Sequence, residues 1–396
     1  MTNYILLGSC LLGAVPAAYG QYAVSGKVLD KQTHQPVPYA SVRVAGTTVG
    51  TTSNADGEFA LTVHQVPAKL LANSLGYGRD SAVIAAAGPM PALTLLATPV
   101  QLPDAKPTSY VAELLAKAYQ QVLRTNDQAE YGQAFYRQIT RIDEVPTEVQ
   151  EAVWNVKTNS TGISGSLLAQ GRFAAKPALM NFTNFSVYTK LFRKTWVSTG
   201  PDTATSHALL SPHSGHDYNL RLKGLTQSNG QSVAEIAFER KPETKLTALR
   251  GSIYIDTDTY QVLHVQATMP MSSSSNKRAY TPKNGDLTFD LDLKPQADAA
   301  APTYLRVSCV LYLSQPRKPD AKVQASSFTY FYNAQPTPTS LAYTTDGQAN
   351  DLEAIKKQPY DPAFWRDNPV VKRTPLEEET IRAFEQQNAF GTMLAK

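Results

Sequence analysis

Apolar residues recur at every second position through two long stretches of this chain, and that period restricts the fold more than any other feature. In the first stretch, Tyr22 to about Ala97, Val24, Gly26 and Val28 alternate with Ser25 and Lys27. Ala40, Val42 and Val44 share one face, and Phe59, Leu61 and Val63 repeat the pattern. A period of two sends successive side chains to opposite faces, which is the mark of a strand with one buried face. Polar, Pro-bearing or αL-tolerant turns punctuate the runs: Asp30 to Pro38, Gly46, Asn54-Ala55-Asp56-Gly57 and Gly76-Tyr77-Gly78. Short strands at such spacing predict a small β-sandwich over 22–97.

The second stretch, Tyr131 to about Tyr343, has longer runs. Phe135 to Ile139, Ala152 to Val156, Val233 to Phe238, Gly251 to Asp256, Val262 to Gln266, Leu287 to Leu293 and Ser327 to Phe331 alternate or are β-branched. No helical periodicity intervenes, so one large antiparallel sheet is expected, with one face buried and the other free to line a groove. Ile255-Asp256-Thr257-Asp258-Thr259-Tyr260-Gln261-Val262 reads as a hairpin. Helices are expected at two places only. Val111, Leu114, Leu115, Ala118 and Val122 stand at helical spacing behind Ser109 as cap, running to about Thr125. Thr374, Pro375 and Glu377 give a capping box with Pro at the first helical position, for a helix running to about Ala389 and ended by Phe390-Gly391. The expected organisation is therefore a signal peptide over 1–20, a β-sandwich over 22–97 and a Pro-rich linker over 98–108. A helix plus large antiparallel β-domain over 109–345 and a C-terminal extension with a helix over 346–396 complete it.

Three strings in the first stretch carry a family likeness. Gly26-Lys27-Val28-Leu29-Asp30, Gln35 to Val44 and Gly50 to Phe59, followed by Leu75-Gly76-Tyr77, resemble the carboxypeptidase regulatory-like domain. The resemblance implies a transthyretin-like, prealbumin-like sandwich. Such domains stand beside metallocarboxypeptidases and, in Bacteroidota, on envelope proteins; the domain is a structural or adhesive module without a catalytic site. Leu249 to Gln266, with Gly251-Ser252-Ile253-Tyr254-Ile255-Asp256 opening a hairpin, resembles part of the half-barrel of bacterial lipoprotein-carrier proteins. That likeness implies a sheet wrapped round a helix or an apolar ligand; an extended sandwich without a cavity is the competing expectation. The Phe-Trp, Glu-rich and Phe-Gly pattern of the C-terminus resembles tails of Bacteroidota proteins that carry the same N-terminal domain.

The first residues point to export. Tyr4 to Val15 is almost wholly apolar, and Ala18-Tyr19-Gly20 offers a small-x-small cleavage site before Gln21. Met1-Thr2-Asn3 lacks the usual Lys or Arg, which points to a start upstream. Reading Leu7-Gly8-Ser9-Cys10 as a lipobox would leave an apolar Leu11–Tyr19 segment on the mature chain, so cleavage before Gln21 is the expectation. Cys309 then stands alone in an alternating run and is expected to pack in a strand. No later segment has the apolar length of a transmembrane helix. A periplasmic or outer-membrane-associated protein is expected.

Chemistry is sparse. The 37 Lys and Arg against 33 Asp and Glu, without a basic run, exclude a nucleic-acid footprint. A zinc carboxypeptidase needs a His-x-x-Glu pair and a distant third ligand, and none of the six histidines has a Glu three residues on. His207, His213 and His216 with Asp217 form the one His-rich patch, a weak transition-metal candidate better explained as loop residues. Asp256 and Asp258 are read as turn-forming rather than as paired acid–base groups. Asn54, Asp56 and Glu58 alternate as oxygen ligands for Ca²⁺ would, but Phe59 and Gln65 stand where a sharp-turn Gly and a bidentate Glu belong. Twenty Tyr exceed the thirteen Phe and three Trp together; half-buried strand packing is the default reading, with an exposed aromatic, carbohydrate-facing surface as the alternative. The expectation is a non-enzymatic envelope protein, without cofactor, that binds a partner protein or an apolar or glycan ligand. The alternative is an exported hydrolase whose site is assembled from scattered residues.

Overall fold

The structure is a computed structural model that describes residues 21–100, 108–182, 184–199, 208–228, 230–244, 247–271, 280–283, 285–345, 350–367 and 370–391. The expected signal peptide, the centre of the linker and His207 lie outside the described residues. The fold class is the expected one: mainly β, an N-terminal sandwich followed by a large antiparallel sheet with a few helices.

The sandwich is built from β1 (Tyr22–Asp30), β2 (Ser41–Val44), β3 (Gly50–Thr52), β4 (Glu58–Val63), β5 (Ala68–Asn73), β6 (Asp80–Ile84), β7 (Gly88–Pro89) and β8 (Leu93–Leu95). One sheet groups β4, β1, β7 and β8, the other runs β3-β2-β5-β6. The alternating apolar residues of both sheets meet in a private core that includes Val28, Val42, Phe59, Leu70 and Leu95. Gly57 (φ +72°) closes the turn before β4; a Cβ there would stand 2.6 Å from the Val28 carbonyl oxygen, so only glycine fits.

After α1 (Thr108–Thr125) come β9 (Glu130–Ile142), β10 (Val145–Asn159) and β11 (Gly162–Ala175), then α2 (Ser186–Trp196) and the single turn α3 (Ser214–Asp217). The chain continues through β12 (Tyr218–Ser228), β13 (Gln231–Arg240), β14 (Arg250–Asp256), β15 (Val262–Met271), the short β16 (Thr281–Pro282), β17 (Gly285–Lys294), β18 (Ala301–Gln315) and β19 (Lys318–Gln335). These strands form one sheet in the order β11-β10-β9-β19-β18-β17-β15-β14-β13-β12, with β16 on β18. It is two meanders joined where β19 pairs antiparallel with β9. The tail adds α4 (Asp351–Lys356), α5 (Pro362–Asp367) and α6 (Pro375–Gln386).

One face of the sheet is covered by helices. Leu114, Leu115, Ala118 and Val122 of α1 and Phe192 and Trp196 of α2 share a core with Ile236, Ile253, Val265, Phe289, Val307 and Val323 of the strands. Phe192 stacks on Phe289 with ring centroids 4.3 Å apart. α2 corrects the expectation of uninterrupted strands. Its sequence, SVYTKLFRKTW, is rich in β-branched and aromatic residues, and its helical face is decided by what it covers. α1 starts at Thr108, so Ser109 lies inside the helix instead of capping it, and α6 ends at Gln386, short of Ala389. Its capping box is present as expected: Thr374 Oγ1 accepts from the Glu377 N–H, and Glu377 Oε2 from the Thr374 N–H.

The tail clasps the edge strand β11 from both sides. On the helix-covered face, Leu352 and Ile355 of α4 pack on Phe173 and Ala175. Gly171 permits this approach, since a Cβ there would meet Ile355 Cγ1 at 2.3 Å. On the opposite face, Ile381 and Phe384 of α6 pack on Ile139, Val149 and Ala174.

Candidate functional site

The second face of the large sheet carries two rows of side chains that the strand register brings together from distant parts of the chain. One row reads Glu235, Tyr254, His264, Asp292, Tyr304, Tyr330 and Phe135 across successive strands. The adjacent row reads Ser252, Gln266, Asp290, Arg306, Phe328, Arg137, Glu151 and Arg172. Aromatic and charged residues thus occupy a face that is mostly covered.

The sandwich sits on the middle of this face through Tyr39. That residue has a left-handed backbone (φ 57°). Its ring packs against both Tyr304 and Phe328, with centroids 5.5 and 5.3 Å away, and under the Arg306 guanidinium at 4.3 Å. The Thr98 and Thr226 hydroxyls, 2.9 Å apart, close one end of the interface. The other end is tied to the tail. Thr51 Oγ1 donates to the Val370 carbonyl, Asn54 Nδ2 donates to the Arg373 carbonyl, and Glu58 is bridged by Lys27 and Lys372. Asn54 Oδ1 accepts from the Asp56 and Glu58 N–H groups, both at 2.9 Å. The alternating oxygen groups of this turn are therefore engaged in holding the turn and docking the tail.

Between the sandwich and the β12–β17 half of the face lies a cleft of about 540 Å³. Tyr39, Arg43, Asn73 and Arg79 line it from one side, and Thr226, Gln231, Glu235, Tyr254, His264 and Asp292 from the other. His264 lies 3.1 Å from Asp290 Oδ1 through Nε2 and 3.4 Å from Asp292 Oδ1 through Nδ1. Burial alone would lower its pKa, but the two carboxylates outweigh it and push the imidazole up to about 9. Asp290 is in turn held below the usual carboxylate range by His264 and by Arg306 at 3.2 Å, against the effect of its burial. The Tyr254 ring stands edge-on to His264 at 5.3 Å, and burial together with Glu235 raises its phenol. Glu235 accepts from Ser252 Oγ and pairs with Lys223.

A second charged group lies under the tail. Glu151 is buried between Arg137 and Arg172, both 2.7 Å away through Nε. Burial would raise its pKa; the two guanidiniums hold it at about 2. Arg137 reaches Glu377 and Arg172 reaches Glu385, both on α6, and Arg172 also lies over the Phe390 ring at 4.4 Å. The helix-covered face has its own titratable group. Glu148 is fully buried, accepts the Phe182 N–H at 2.9 Å, and is pushed up to about 7 by burial.

The residues singled out in the sequence are not gathered into this cleft. His213 precedes α3, exposed His216 lies 2.8 Å from Asp217 Oδ1, and Asp217 is buried. Among the described residues no three His, Cys, Asp or Glu side chains form a group that could hold a metal ion. Asp256 Oδ1 accepts from the Asp258 and Thr259 N–H groups, which is the turn role expected of it. Cys309 packs in β18, and burial pushes its thiol up to about 12. His264 was visible in sequence only as a histidine without a Glu three residues on. Asp290-Leu291-Asp292 places two carboxylates on one face of a strand, a signal of a charged site that does not say which residue they meet.

A sandwich of this kind on a large antiparallel sheet defines a two-module β protein. Residues 24–98 match the family model of the CarboxypepD_reg-like domain, as the sequence strings implied. No curated protein matches the chain. Among solved structures it is similar to a DUF1329 family protein from Desulfovibrio piger (11% identity, 59% of this chain and 95% of that one, TM-score 0.24). It is also similar to a LolA superfamily protein from Nitrosomonas europaea (10% identity, 58% and 94%, TM-score 0.23). Among the described residues no helix is long and apolar enough to cross a membrane.

Proposed function

We propose that the chain is an exported, non-enzymatic envelope protein that holds a hydroxyl-rich, glycan-type ligand in the cleft between the sandwich and the large sheet. The observation that carries this reading is the lining of that cleft. Tyrosine rings stand among amide and hydroxyl side chains that can donate and accept, and this is the surface a saccharide needs: a flat apolar patch with hydrogen-bonding groups around it. An apolar ligand is less well supported, because α1 and α2 occupy the greasy face of the sheet and share its core.

The alternative, an exported hydrolase, has one observation in its favour, the His264–Asp290–Asp292 group facing the cleft. A histidine held at about 9 is already protonated at neutral pH and cannot act there as a general base. The test is calorimetric titration of the purified protein with neutral and charged oligosaccharides, followed by chromatography of the mixtures. Binding without turnover supports the reading. Cleavage of a saccharide or peptide that vanishes in His264→Asn would replace it with the hydrolase. For export, the expected mature N-terminus is Gln21; sequencing that finds Cys10 or Met1 would overturn that part.

A further inference from the structure

We infer that the ligand of this cleft is an acidic saccharide, one carrying carboxylates along its length; this rests on the cleft reading above and names the ligand class. The inference comes from how charge is distributed over the cleft. Its floor carries carboxylates that are already answered. Glu235 pairs with Lys223 and is bonded by Ser252, and Asp292 faces the protonated His264. Its rim carries cations that are not answered: Arg43 on β2, Arg79 between β5 and β6, and Lys294 at the end of β17 all line the cleft and are exposed. Among the described residues none of the three forms a salt bridge with a carboxylate.

Those cations come from three separate elements on both walls, two from the sandwich and one from the sheet. A small anion such as phosphate is bound by donors converging on a point, commonly with backbone N–H groups. Cations spread around a cleft of about 540 Å³ instead match charges spaced along an oligomer. Between them lie Asn73, Gln231 and Gln266, whose amides offer both donors and acceptors to sugar hydroxyls, and the half-buried Tyr254 ring as a platform.

The experiment uses the mature chain and two trisaccharides, trigalacturonate and uncharged maltotriose, titrated by calorimetry at low and high sodium chloride. Trigalacturonate is expected to bind more tightly than maltotriose, and to weaken with salt. The exposed triple substitution Arg43→Ser, Arg79→Ser and Lys294→Ser should weaken trigalacturonate by about tenfold or more and maltotriose by far less. Tyr254→Ala should weaken both. Equal binding of the two sugars, unaffected by the triple substitution but lost in Tyr254→Ala, would overturn the acidic class and leave the cleft reading standing. Binding of neither sugar, or trigalacturonate binding that survives both the triple substitution and Tyr254→Ala, would overturn both.

Discussion

Replacing Glu148 with glutamine should change how the stability of the protein depends on pH, by an amount the structure fixes. The carboxyl is fully buried on the helix-covered face and is pushed from 4.5 up to about 7 by that burial. In the unfolded chain it titrates at its ordinary value. The folded state therefore binds the proton more tightly, and this contribution to stability is fully present below about 4.5. It is lost as the pH rises through about 7, above which the folded protein carries a buried, ionised carboxylate. The shift is about 2.5 pH units, and at about 1.4 kcal/mol per unit that is about 3 kcal/mol. The Glu148→Gln variant has no such titration, while every other group cancels in the comparison of the two proteins. The assay is urea unfolding followed by tryptophan fluorescence from pH 4.5 to 8, since Trp154 and Trp196 are both buried. The stability of the variant relative to the parent should rise by about 3 kcal/mol across that range. Parallel profiles would refute the argument and mean that Glu148 is hydrated or paired in solution.

Other consequences can be checked by the same unfolding measurements. His264→Asn should remove a contribution that is fully present below 6.5 and lost as the pH rises through about 9, so the parent should weaken in alkali more steeply than the variant; equal alkaline slopes would contradict the two-aspartate site. Glu151→Ala removes the buried carboxylate that Arg137 and Arg172 share, leaving each with only its partner on α6, and should cost about 3–5 kcal/mol, whereas Glu385→Ala, at the 41% exposed end of the same cluster, should cost under about 1 kcal/mol; equal costs would show that the cluster is not arranged as described. Tyr39→Asn keeps a residue that tolerates the left-handed backbone but removes the ring, and should weaken docking of the sandwich by about 2–3 kcal/mol, seen as two separated thermal transitions in place of one. Residues 22–97 expressed alone should melt cooperatively, because their core draws only on their own strands; a disordered product would contradict that.

What could be read from the sequence, and what could not, divides along one physical line. Strands with one apolar face announced themselves by period two, and local hydrogen bonding announced the Thr374 cap and the Asp256 turn. Both signals are complete within a few residues. The hidden features are those whose compensation lies far away. β10 carries Glu148, Gln150 and Glu151 at buried positions, and the period-two run was recognisable only from Ala152 onward. Glu151 is tolerable there because Arg137 and Arg172 reach it from strands 14 and 21 residues distant. His264 likewise depends on Asp290 and Asp292 across a strand pairing whose register no local pattern states. α2 is the same case in reverse, since its helical form is fixed by the apolar sheet beneath it.

The recognisable part of the chain and the candidate site are connected through the same residues. The strings that carry the family likeness include Tyr39, Thr51, Asn54 and Glu58, and in this protein these side chains face the second module. Tyr39 packs on Tyr304 and Phe328, while Thr51, Asn54 and Glu58 hold residues 370–373 of the tail. The tail in turn covers Arg137, Glu151 and Arg172 through Glu377 and Glu385. Each cover therefore depends on the next: tail on sandwich, sandwich on sheet, and the cleft on the position of the sandwich. A face bearing this many charged and aromatic side chains would otherwise be open to water along its whole length. Covering its middle with the sandwich and its β9–β11 end with helices leaves a polar cleft at His264 and Tyr254, walled on one side by the sandwich. The proposed saccharide would be held by two walls at a fixed separation, so Tyr39→Asn, which removes both a docking contact and part of the cleft lining, should weaken its binding. Unchanged affinity in a Tyr39→Asn protein whose sandwich has been shown to undock would place the ligand elsewhere.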